Sequence, residues 1–590
     1  MRTSVLVGIS LFAACSNPTA RQREPKAAEP DQVRHRDIVG DESQVVTRVA
    51  TTPEPREAAA APAPPPPAPA LAAPPVRSVP APMRKPMAGS AKLAPPAIGE
   101  YDLAAPPANQ RVGTTASTAG YAMGRAVPAD GAGGEAYHDW GRNPWVDAAK
   151  DHLSTFAADV DTASYTIARR KLTEGTLPPP AAVRVEEFVN YFRYAFPAPT
   201  GETPFAVAMD AAPSPLSPGR HIVRVGVATK PIAKSDRKPA HLVFLVDVSG
   251  SMASPDKLEL AKQSLRILTN NLNDGDTVSL VTYAGDSRVV LAPTGLDHRT
   301  QILEAIDQLR TGGSTAMASG IDLAYQQAMR GLRPGSISRV IVCTDGDANV
   351  GAHTHAEILA IIAGRAKEGV TLSTIGFGMG NYKDALMEQL ADKGNGNNFY
   401  IDSLAAAKKV FQEQLGSMLE VVAKDVKLQV DFDPALVARY RLVGYENRDI
   451  KDEDFRNDKV DAGQVGAGHQ VTALYEIELT AKGKLSQAPL GGIRIRHKPP
   501  RGEHATEAAF PMIGGTAVAF AAASPDLRFA FAVAAFADVL RNGQYAEHWS
   551  LAQIRDLANA AAGNDADRKE LVGLIDRAIR LRAPQQAMAR

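Results

Sequence analysis

Cysteine is nearly absent: the chain of 590 residues holds two, Cys15 and Cys343, too few for a disulfide framework. Net charge is absent as well. The 65 Lys and Arg residues balance 65 Asp and Glu residues, so no global field favours nucleic acid or an anionic membrane, and no nucleic-acid partner is expected. No apolar run after the first residues is long enough to span a bilayer. "TAVAFAAA" and "RFAFAVAAFADVL" are separated by "SPDLR" and read as a buried helix pair. Three catalytic signatures are also missing: the phosphate-cradling G-x-x-x-x-G-K-[ST] loop, the His-Glu-x-x-His pair of zinc proteases, and a Ser-His-Asp arrangement. No internal repeat is present.

What is there begins with a secretory signal. "MRTSVLVGISLFAA" has one early positive charge, a short apolar stretch and small residues before Cys15. "LFAAC" resembles the lipobox of bacterial lipoproteins, although Phe12 stands where an aliphatic residue is usual. That resemblance implies lipidation of Cys15 after cleavage, with ordinary secretion of the mature chain as the alternative. Ser16 then implies sorting to the outer membrane, lipid-anchored and facing the periplasm. Cys343, inside the apolar run "RVIVCTD", reads as a small buried hydrophobe.

Length alone favours about three or four domains. Residues 16–140 are rich in Ala and Pro ("AAAAPAPPPPAPALAAPP"), with little apolar side chain to offset ordering entropy, and are expected to form a disordered tether. Residues 141–240 read as a small α+β cap: two amphipathic helices, then strands expected to add to the following domain. From 241 to 425 apolar strands alternate with amphipathic helices, the pattern of an α/β fold whose mostly parallel sheet is covered on both faces. Its last helix is expected over "LAAAKKVFQEQLGSMLEVVA". Residues 426–590 turn to short alternating strands, a β-sandwich-like segment, and then to Ala-rich helix.

The stretch "HLVFLVDVSGSM" (241–252) runs a buried strand into Asp247, Ser249 and Ser251, three oxygen-bearing side chains spaced by one residue. In an open parallel sheet, ligands bind beyond the carboxyl ends of the strands. A carboxylate and two hydroxyls are hard donors suited to Mg2+, Mn2+ or Ca2+. Two further pieces come from "TGGSTAMASG", with Thr315 at a helix start, and "VIVCTDGDANVG", with Asp345 at a strand end. The set Asp247, Ser249, Ser251, Thr315 and Asp345 is similar to the metal-ion-dependent adhesion site of von Willebrand factor type A domains. That resemblance implies a Rossmann-like doubly wound sheet and a divalent cation held by these five residues. The open position of that ion takes a carboxylate from a partner protein, here an envelope protein. The flanking segments "LSTFAADVDTASYTIARRKLTEGTLPPPAAVRVEEFVNYFRY" and "VGAGHQVTALYEIEL" resemble a bacterial family of type A domain lipoproteins.

A non-enzymatic, cation-dependent binding module is therefore expected. The alternatives are a metal-dependent hydrolase at the same site, for which no general base is evident, and a structural envelope scaffold. Two other clusters are read as structural. Asp159 and Asp161 precede a helix, where Asp or Thr162 is expected to cap. His353, His355 and Glu357 in "HTHAEI" read as a solvated helix start rather than a metal site.

Overall fold

The structure, a computed structural model, describes residues 125–127, 134–158, 161–199, 203–314, 316–346, 354–378, 380–512, 516 and 519–588. The expected α/β fold is present. Six strands form its central sheet: β1 Ala240–Asp247, β2 Thr277–Tyr283, β3 Ser287–Gly295, β4 Ile337–Thr344, β5 Val370–Phe377 and β6 Asn398–Ile401. Their order is β6-β5-β4-β1-β2-β3, all parallel except β3, which returns from β2 as an antiparallel hairpin partner. The order reverses between β1 and β4.

The near-continuous apolar sequence of β1 follows from burial on both sides. Leu242, Phe244 and Val246 point into one core, with the helices Leu260–Asn271 and Arg299–Asp307. Val243 and Leu245 point into the other, with Met317–Gly331, His355–Lys367 and Asp384–Lys393. Each such fully buried side chain contributes about 1.5–3 kcal/mol, so both faces fix the strand and the direction of its tip. Cys343 is part of the first core, fully buried, and burial pushes its thiol well up from the ordinary range.

The strands on either side of this sheet pair with each other rather than with it. One antiparallel sheet joins Val146–Asp147, Val437–Val443, Gln470–Leu479, Arg220–Thr229 and Phe205–Pro213. The other contains Gln464–Gly466, Val421–Phe432, Gly491–Lys498 and Thr506–Pro511, with Leu153–Ala157 also paired to Val421–Phe432. The expectation that the strands before residue 240 extend the parallel sheet is thus corrected. Arg220–Thr229 is buried along most of its length and needs backbone partners on both edges, which Phe205–Pro213 and Gln470–Leu479 supply.

Two helical expectations also change. The helix expected from residue 404 breaks into Leu404–Lys408, a π-helical turn Lys409–Glu413 and Leu415–Leu419. From Val421 the chain is recruited into the sandwich. Among the described residues the C-terminal long helices are three, Pro525–Leu540, Leu551–Ala562 and Ala566–Met588, and those of "TAVAFAAA" include the short turn Phe520–Ala522. These helices pack on Ala163–Thr173 and Val185–Tyr191 around Tyr165, Phe188, Phe529 and Phe536. No helix among the described residues is long and apolar enough to cross a membrane.

Candidate metal centre

Asp247 closes β1 and Asp345 directly follows β4, so the two carboxylates flank the point where strand order reverses. That is where open α/β sheets bind ligands. Both side chains are buried, as is Ser249. Asp247 Oδ1 accepts the Ser249 N–H at 2.9 Å and Oδ2 accepts the Thr344 hydroxyl at 3.0 Å. Burial pushes the Asp247 carboxyl up to about 6; the charge of Asp345 adds to this, and the hydrogen bonds from Ser249 and Thr344 oppose it.

After Asp247 the chain turns through the short 3-10 segment Gly250–Ala253, which sets the Ser249 and Ser251 hydroxyls 3.0 Å apart. Two backbone hydrogen bonds fasten the segment ahead of Thr315 to this turn: Gly312 N–H donates to Val248 O at 2.7 Å, and Gly250 N–H donates to Gly313 O at 3.1 Å. Gly313 has φ +86°, and a Cβ there would lie 2.9 Å from the Gly285 nitrogen in the β2–β3 hairpin, so of the paired glycines in "TGGST" it is Gly313 that the local packing requires. Thr315 itself lies outside the described residues, as do Cys15, Asp159 and His353.

Asp345 is held differently from Asp247. Its burial works against ionisation, but hydrogen bonds from Asn381, Lys257 and Ser251, with the Lys257 charge, hold the carboxyl below the usual range. Lys257 Nζ lies 2.9 Å from Asp345 Oδ2 and 3.0 Å from Asn381 Oδ1. Sequence reasoning missed four contributors here: Thr344, Lys257, Asn381 and Tyr283, which faces Asp247 across the β1–β2 register. Thr344 could have been found from its place beside Asp345 at the end of an apolar strand. The others carry no local signal.

The donor set is two carboxylates and two hydroxyls, all oxygen and partly desolvated, with no soft ligand. It fits a hard divalent cation held by Asp247, Ser249, Ser251 and Asp345. Among the described residues no group of three or more His, Cys, Asp and Glu side chains is arranged to hold a metal ion. "HTHAEI" starts a helix, as expected: Thr354 and Glu357 form a capping box, and His355 Nε2 lies 3.0 Å from Gln389 Oε1. Asp161 does not do what was expected of it. Thr162 occupies the N-cap position without a side-chain capping bond, while the Asp161 carboxylate takes the Asn398 N–H at 2.8 Å and pairs with Arg448 at 3.1 Å.

A family model described as von Willebrand factor type A domain matches residues 241–413. A second, von Willebrand factor, matches 132–224, and the C-terminal model of the uncharacterized protein YfbK matches 417–581. The uncharacterized protein YfbK of Escherichia coli K12 is 42% identical over 467 residues, covering 75% of this chain and 80% of that protein. The uncharacterized protein sll0103 of Synechocystis is 26% identical over 232 residues, covering 39% of this chain and 54% of that protein. Among solved structures, a von Willebrand factor type A protein from Catenulispora acidiphila aligns with a TM-score of 0.36 at 19% identity, covering 68% of this chain and 89% of that one. Proximal thread matrix protein 1 from the mussel byssus, with a zinc-occupied MIDAS motif, aligns with a TM-score of 0.26 at 23% identity, covering 30% of this chain and 45% of that one. On the identity and coverage shared with the Escherichia coli protein, the chain belongs to the bacterial YfbK family, built around a von Willebrand factor type A domain.

Proposed function

We propose that this protein is a non-enzymatic binding module of the bacterial envelope. It uses a divalent cation at Asp247, Ser249, Ser251, Thr315 and Asp345 to bind a carboxylate on a partner protein. Mg2+ or Mn2+ suits the oxygen donors, and Ca2+ shares their chemistry. The observation that carries the reading is the convergence of two buried carboxylates and two hydroxyls at the switch point of the sheet. No covalent chemistry is required of the site: the ion shares its coordination between the chain's oxygens and one supplied from outside.

The signal-like N-terminus ending in Cys15 and the Pro/Ala-rich segment after it support a lipid anchor and a tether that carries the folded body away from the membrane. The test is capture of envelope proteins by the detergent-solubilised full chain, with Mg2+ and with EDTA. A partner retained with Mg2+, released by EDTA and lost with Asp345→Ala supports the reading. Binding that ignores EDTA refutes the role of the ion.

A further inference from the structure

Lys257 is a charged side chain that turns inward. It sits on the π-helical turn Pro255–Glu259 that opens the helix after the Ser249–Ser251 turn, and its side chain is only 9% exposed. A lysine in such a position ordinarily threads its stem outward and leaves the ammonium in water. Burying the charge is unfavourable unless it is paired and hydrogen-bonded, and here both conditions are met on the carboxylate of Asp345 and the side-chain oxygen of Asn381.

The path of the stem is also prepared. Gly378, just past β5, has φ +69°, and a Cβ there would lie 2.2 Å from Lys257 Cγ and 2.5 Å from its Cε. Any other residue at 378 would push the lysine out. A single arginine from outside the type A domain holds both walls. Arg170, on the helix Ala163–Thr173, donates to Asp256 Oδ2 at 2.6 Å, next to Lys257, and to the Tyr400 hydroxyl at 3.0 Å. That hydroxyl in turn donates to Gly378 O at 2.6 Å.

We propose that Lys257 is a tethered counter-cation of the metal centre: its ammonium competes with the divalent ion for Asp345 and so lowers the affinity of the site. The inference rests on the metal-centre reading above and deepens it. Two cations drawn to one buried carboxylate repel each other strongly where water is largely excluded. The ion therefore binds tightly only when the ammonium is displaced or when a partner carboxylate adds negative charge. The site is thus tuned to fill together with its partner, and the cap arginine sets how firmly the lysine is held.

The experiment titrates Mn2+ and Mg2+ into the purified full chain by calorimetry, alongside thermal melts with EDTA and with each ion. Lys257→Met and Lys257→Gln should bind Mn2+ at least about tenfold more tightly than wild type, as expected when a like charge a few ångströms away is removed. Both should melt lower in EDTA and show a larger ion-induced rise. If the folded variants bind the ion no more tightly than wild type, the lysine proposal is overturned and the metal centre stands. If neither wild type nor either variant binds an ion, both fall. Should both Lys257 variants fail to fold, Arg170→Gln carries the test. It leaves Lys257 in place but frees Asp256 and Gly378, and ion affinity should rise; an unchanged affinity overturns the proposal.

Discussion

Asp247→Asn isolates the electrostatic cost built into the site. The carboxyl titrates near 6 rather than near its ordinary 3.8, chiefly because it is buried, with the charge of Asp345 adding. A shift of about two units means that keeping Asp247 ionised costs the folded state roughly 3 kcal/mol at neutral pH. Asparagine keeps the shape, and its oxygen can still accept the Ser249 N–H. Its amide can donate to Thr344 Oγ1 but cannot accept from it, so the Thr344 O–H loses its acceptor there. The value of about 6 already includes the opposing hydrogen bonds; leaving the Thr344 O–H unsatisfied takes back about 1 kcal/mol, for a net gain of about 2 kcal/mol.

For a folded body of this size that corresponds to about 2 °C in melting temperature in EDTA. The sign with pH is fixed. Because the folded-state pKa is raised, wild type loses stability as pH rises from about 3.8 to about 6. The advantage of the variant should therefore be small near pH 4 and full above pH 6. With Mg2+ or Mn2+ in large excess over Kd the order reverses. Wild type gains RT ln(1 + [L]/Kd), about 2.7 kcal/mol at a hundred times Kd, and the variant gains little. Alanine is a poorer probe, since it would leave the Ser249 N–H without its acceptor as well as the Thr344 hydroxyl. Differential scanning calorimetry between pH 4 and 8, with and without ion, reads all of this. A variant less stable than wild type in EDTA at pH 7.5 refutes the argument from buried charge, and an ion-induced rise that survives the substitution places the ion elsewhere.

Other outcomes follow from buried charge and from the N-terminus. Arg184→Met removes the guanidinium that neutralises Glu187 and Asp384, both buried. It should destabilise by about 3–5 kcal/mol, measured by denaturant melts, because it strands two carboxylates rather than one contact. Burial, with Arg193 adding, holds the His469 imidazole down to about 4; stability should therefore fall as pH drops from about 6.5 to 4, and His469→Gln should flatten that slope in pH-dependent melts. Cys15→Ser should move the protein from the detergent phase to the aqueous phase in a partition assay, and a mature N-terminus mapped elsewhere by mass spectrometry would refute the anchor.

Much of the geometry of the candidate metal centre was legible because its signals are local. Asp247, Ser249 and Ser251 lie within five residues, and the apolar strand before them says which end of the sheet they occupy. Asp345 could be placed because β4 is also apolar on both faces and stops at an acid. Lys257 could not. Nothing in "SPDKLEL" distinguishes a lysine that turns inward from one that snorkels to solvent; the difference is made by Gly378 and Asn381, which arrive from a loop after another strand. Asp161 misled for the same reason, since its partners Asn398 and Arg448 lie far along the chain.

The same division between local and distant signals explains the sandwich. Alternation within Arg220–Thr229 marks a strand, but pairing register is set by whichever strand can cover its free edge, and here that is Gln470–Leu479. Neither 141–240 nor 426–590 holds a complete sheet. Each would leave long edges unpaired, a state proteins avoid. The type A sheet is consequently an insertion between strands of one sandwich: the chain leaves after Thr229 and returns at Val421. Its two ends are stapled at the base, where Lys238 Nζ pairs with Glu420, and Arg237 ties the entry to Asp276 just before β2. Because the helices before and after the insertion pack on it, a residue such as Arg170 can lie outside the type A domain and still brace the wall of its candidate site. A reading that divides the chain into consecutive segments assigns that arginine to a separate cap, and so loses its connection to the site.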